Sequence, residues 1–182
     1  MEPEMQTPTD KAVREEARSR SGDPLVSRWR RMAPGKVLAV GVGNPMRGDD
    51  AAGLELARLL AEREACEVII AEDVPENYLG PMLQSEAQTV IFCDAVDLRE
   101  QPGAFALLDL DELAGPSVST HNASLRLLAR CLRQSGVRSV LIAAVQPQST
   151  AWGGALSPTV RAGVASLADL LAEALQAGGG ER

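Results

Sequence analysis

The sequence predicts an α/β protein: a single domain with a mostly parallel, five-stranded twisted sheet and helices on both faces. Three observations lead there. Short unbroken apolar runs such as "KVLAVGV" (36–42) and "TVIFCDA" (89–95) suit strands buried on both faces. Other segments repeat their apolar residues at helical spacing, with charged residues between. The two kinds of segment alternate along the chain, as βαβ units require.

Residues 1–34 are polar, mixed in charge and punctuated by proline. They read as a flexible N-terminal extension with room for one short helix over residues 12–20. The folded domain is expected over 35–177. Its first strand, 36–42, is followed by a helix with the stripe Ala52, Leu56, Leu59 and Leu60. "CEVIIA" (66–71) gives a second strand, and "PENYLGPMLQ" (75–84) a loop entering a short helix. The third strand, 89–95, ends on an acid. "GAFALLDL" (103–110) reads as a fourth strand at a sheet edge. Leu125, Leu128, Ala129 and Leu132 mark the next helix, and "SVLIAAV" (139–145) the fifth strand. In "LSPTVRAGVASLADLLAEAL" Ser157 is placed as N-cap and Pro158 at the first helical position. The glycine-rich tail, 178–182, stops that helix and is read as flexible.

Composition narrows the function. The chain has 182 residues and a formal net charge of −7, which speaks against a nucleic-acid partner despite the short cluster Arg28, Arg30 and Arg31. No apolar stretch reaches the length of a membrane span, and no signal-like run opens the chain, so a cytoplasmic protein without membrane insertion is expected. Cys66, Cys93 and Cys131 are odd in number, far apart and set in apolar surroundings. They read as reduced packing residues.

The loop "GVGNPMRGDDAAG" (41–53) leaves the first strand where α/β proteins often bind phosphate. It is the wrong loop for that task. A dinucleotide fingerprint has a third glycine where this chain has Met46, and a P-loop needs a Gly-Lys-Ser/Thr that is missing. Asp49 and Asp50 would repel a phosphate. One such acid is explained by capping the helix that follows; the second points to a cation or to proton transfer. Asp94 ends the third strand, and ligand sites in open α/β sheets lie beyond the carboxyl ends of strands. His121, the only histidine, precedes the helix of Leu125. Each has a plain structural reading, Asp94 as a turn cap and His121 as a surface residue near a cap. Together, two carboxylates and an imidazole suit nickel, zinc, iron or manganese. No G-x-S-x-G elbow is present, and no cysteine lies near the histidine in sequence.

These segments, "GVGNPMRGDD", "FCDAVD" and "STHNASL", with weaker matches at "PENYLG", "AVQPQ" and "LSPTVRAGV", resemble those of the hydrogenase maturation endopeptidases. The resemblance runs in order over about residues 36–176. It implies an aspartic-type endopeptidase that removes a C-terminal peptide from the nickel-loaded precursor of a [NiFe]-hydrogenase large subunit. It places the metal-contacting and catalytic positions on Asp50, Asp94 and His121, with Asp49 beside them and not a ligand. The nickel is carried by the substrate and need not stay bound to the protease. Where many relatives have glycine after the two acids, this chain has Ala51 and Ala52. A hydrolase holding its own divalent metal at the same three residues is the alternative, and a nucleotide-binding module the non-enzyme rival. Asp94 and His121 are expected to be partly exposed.

Overall fold

The structure is a computed structural model and describes residues 24–112 and 122–176. Helix α1 (Pro24–Met32) leads into β1 (Val37–Val42). A tight helical turn over Gly48–Ala51 then runs into α2 (Ala52–Glu62). Next come β2 (Glu67–Glu72), a turn over Pro75–Tyr78 entering α3 (Leu79–Gln84), β3 (Thr89–Ala95) and β4 (Phe105–Asp109). Helix α4 (Asn122–Gln134), β5 (Ser139–Val145) and α5 (Pro158–Gln176) complete the described chain.

The sheet order is β2-β1-β3-β5-β4. Four strands are parallel, and β4 runs antiparallel to β5 at the edge, where the sequence placed it. The central strands β1 and β3 are buried at every position, which is why their sequences are apolar without alternation. Their side chains still alternate in direction. Val37, Ala39, Ile91 and Cys93 join the core under α1, α2 and α5. Leu38, Val40, Val90 and Phe92 join a second core under α3 and α4. Both faces of the sheet are therefore covered.

Residues 24–34 differ from the loose extension read from the sequence; residues 1–23, including the helix expected over 12–20, lie outside the described residues, as does the tail 178–182. In α1, Leu25, Val26 and Trp29 face the core, and Trp29 is fully buried. Its indole meets Phe105 edge to face, with ring centroids 6.5 Å apart. Arg30 Nε donates to the Ala174 carbonyl at 3.3 Å, tying α1 to α5. The arginines that made the segment look polar occupy one face of the helix; its apolar residues form the other, and Pro24 stands at its first position.

Gly53 explains how close α2 sits to the sheet. A Cβ there would collide with the carbonyl oxygens of Cys93 and Val42, both backbone atoms that cannot swing away. Gly43, at φ +131°, is likewise barred from carrying a side chain by the Asp50 carbonyl. Gly53→Ala is therefore expected to destabilise the protein by about 3 kcal/mol or more, since overpacking against backbone forces the helix off the strands. Chemical denaturation measures this; a change within about 0.5 kcal/mol would contradict the packing argument.

Candidate functional site

In this sheet the chain moves from β1 outward to β2 on one side, then returns to place β3 on the other side of β1. The carboxyl ends of β1 and β3 form the switch point where open α/β sheets leave a crevice. Gly41 pairs with Cys93, so Asp94 stands one residue further along, level with the end of β1. Asp94 shares its parity with Val90 and Phe92, which face the core under α3 and α4. Asp50 sits in the turn that leaves β1 and packs against β3. The structure thus brings Asp50 and Asp94 to the same end of adjoining strands. His121 lies outside the described residues; α4 begins directly after it, at Asn122.

Asp94 is fully buried, contrary to the partial exposure expected from sequence. The reason is its strand: β3 is flanked by β1 and β5 and covered on both faces. Asp50 is 4% exposed. Its Oδ2 accepts the Asn44 backbone N–H at 3.1 Å, and no other side-chain hydrogen bond is made to it among the described residues. Asn44 is fixed in turn. Its Oδ1 accepts the Met46 N–H at 2.9 Å, and its Nδ2 donates to Asp73 Oδ2 at 3.1 Å. The asparagine of the "GN" pair therefore shapes the loop that aims Asp50.

Asp49 has a different role. Its Oδ2 accepts the N–H groups of Gln148 at 2.9 Å and Ser149 at 3.0 Å, and the Ser157 hydroxyl at 3.1 Å. Its Oδ1 accepts the Ser157 N–H at 2.6 Å. Neither acid caps α2, the helix both precede. Asp49 instead holds the loop between β5 and α5 and sets its negative charge at the start of α5, where the helix dipole favours it. The Ser157 hydroxyl, placed at the N-cap from sequence, is turned to Asp49. Two adjacent acids thus divide the work. Asp49 is saturated by protein donors, while Asp50 accepts a single side-chain hydrogen bond among the described residues.

The turn over Pro75–Tyr78 also reaches this end of the molecule. Glu76 Oε2 accepts the Ser124 hydroxyl at 2.8 Å, fastening the first turn of α4. That gives a physical role to the "PENYLG" segment.

Cys66 and Cys93 are poor nucleophiles. Burial pushes the Cys66 thiol up to about 11. Cys93 is raised well above the ordinary value by burial first, then by Cys66 and Asp94. Among the described residues, no three His, Cys, Asp or Glu side chains form a metal-holding group. None of the described helices is long and apolar enough to cross a membrane.

A family model described as hydrogenase maturation protease matches residues 52–174. The hydrogenase 3 maturation protease of Escherichia coli strain K12 is 29% identical over 109 residues, which are 58% of this chain and 69% of that protein. The crystal structure of a [NiFe] hydrogenase maturation protease, HycI from Thermococcus kodakarensis KOD1, superposes with a TM-score of 0.69 at 30% identity. That match covers 78% of this chain and 92% of the archaeal one. The hydrogenase maturating endopeptidase HybD of E. coli, 23% identical, shares the fold with a TM-score of 0.66 over 80% of this chain and 94% of its own.

Proposed function

The chain belongs to the hydrogenase maturation protease family, and from that premise we propose that it trims the C-terminus of a nickel-loaded [NiFe]-hydrogenase large-subunit precursor in the cytoplasm. What supports this site is that Asp50, in the turn after β1, and Asp94, near the end of β3, stand at the same end of adjoining strands. Asp50, Asp94 and His121 form the contact set for nickel. Two carboxylates and one imidazole leave coordination positions open, so a metal held by the precursor can be read without being extracted.

Docking is the primary task of these residues. A nickel centre seated against Asp50 and Asp94 brings the neighbouring peptide bond to one fixed place, and positioning of this kind lowers the barrier substantially. The hydrolysis adds water across the amide. The large subunit keeps a new carboxylate and the released peptide a new amine. A carboxylate of the pair takes the proton from the attacking water, which is the aspartic-type element of the reading.

The test is a processing assay with a cognate precursor, nickel-loaded and nickel-free, read by mass spectrometry. Loss of a single C-terminal peptide from the nickel-loaded form alone is the expected result. Equal cleavage of both forms would remove nickel recognition from the reading. No cleavage of any cognate precursor, with stoichiometric metal retained by the protein itself, would favour a hydrolase with a resident metal.

A further inference from the structure

The chain contains two tryptophans in a composition with only 3% aromatic residues. Trp29 is fully buried, whereas Trp152 is 72% exposed, the most exposed of the large apolar side chains described. Met46, 59% exposed, is brought to it by a backbone hydrogen bond from Gly153 N to the Met46 carbonyl at 2.8 Å.

This exposure is not that of a slack loop. Asp49 N donates to the Ser149 carbonyl at 2.9 Å, and Arg47 Nε to the Thr150 carbonyl at 3.4 Å. The Asp49 carboxylate grips residues 148, 149 and 157. The two loops touch backbone to backbone, so that a Cβ on Gly154 would lie 3.3 Å from the Gly48 Cα. An indole held in water by a fastened loop forgoes the stabilisation of burial, and Trp and Met are enriched at binding surfaces.

We propose that Met46 and Trp152 form a docking rim that seats an apolar side chain of the precursor, in the stretch of polypeptide next to the bond that is cut. The proposal rests on the functional reading above. Its occupant follows from position. Met46 shares a loop with Asp50, and that loop leaves β1 at the switch point, where Asp94 stands near the end of β3. A second copy of the chain or a lipid surface seated there would lie over the crevice and shut the substrate out. The polypeptide entering the crevice is the partner that can use the rim while the reaction proceeds.

The experiment compares wild type with Met46→Ala, Trp152→Ala, the double variant and Trp152→Phe, at varied concentrations of nickel-loaded precursor. The double variant is expected to raise KM about tenfold or more and leave kcat within about twofold, as loss of a binding contact used equally before and during the chemical step demands. Trp152→Phe recovers part of the loss, which distinguishes an apolar contact from damage to the loop. Thermal melting should be unchanged, because both side chains are exposed. A KM equal to wild type in the double variant, or a fall in kcat with KM unmoved, overturns the rim alone, since the wild-type control still shows processing. A wild type that processes no cognate precursor overturns the functional reading, and the rim with it.

Discussion

Asp94→Asn is expected to lower the rate of precursor processing by about a thousandfold while the protein stays folded, and His121→Ala to do the same. Asparagine has the shape of aspartate, so it keeps the packing of a fully buried position and removes the charge. A neutral amide attracts a cation weakly and cannot take a proton from water. Asp50→Asn removes the same capacity one strand away. The measurement is the initial rate of peptide release by mass spectrometry, beside a melting curve for each variant. Processing within about threefold of wild type by Asp94→Asn and His121→Ala would remove both from the site. A variant that melts far below wild type is set aside for one that folds.

Asp49→Ala is expected to cost about 3 kcal/mol of stability, although Asp49 is adjacent in sequence to a residue of the proposed site. Its carboxylate serves three backbone N–H groups and one hydroxyl. Removing it leaves those donors without their acceptor and frees the loop that bears Trp152. Asp49→Asn keeps one acceptor oxygen but turns an NH2 toward groups that are themselves donors, so it recovers only part of the loss. Urea unfolding provides the measurement. A loss below about 0.5 kcal/mol for the alanine variant would show that water replaces the carboxylate without difficulty. The neighbouring pair thus separates experimentally: Asp50 by rate, Asp49 by stability.

Much of the architecture was legible because it is periodic. The expected strand 89–95 coincides with β3, and the strand 139–145 with β5. The positions of Asp50 just after β1 and of Asp94 near the end of β3 followed from the same periodicity. Helix α1 was not legible, because its three buried residues are diluted by arginines in a segment already judged polar. The strand order was not legible either, since pairing joins residues far apart and leaves no local mark. Asp49 shows the limit most clearly. Its type and place suggested a local cap, and only tertiary contact reveals that its partners stand 99, 100 and 108 residues away. The Asx turn at Asn44 could have been read from "GNPM", as asparagine after glycine commonly fixes such a loop.

The Asp49 tether also bears on when the protein becomes competent during its own synthesis. Ser157, its most distant partner, leaves the ribosome 108 residues after Asp49. At about 5–20 residues per second the acidic loop waits several seconds or more before it can be locked. Closing so long a loop is slow relative to local helix formation, and its entropy cost is recovered only when α5 docks. A nascent chain can therefore carry both acids of the switch point without a fixed crevice between them. In this order of assembly the acidic loop is locked only once the start of α5 is in place, so its fixed shape arrives with the finished fold.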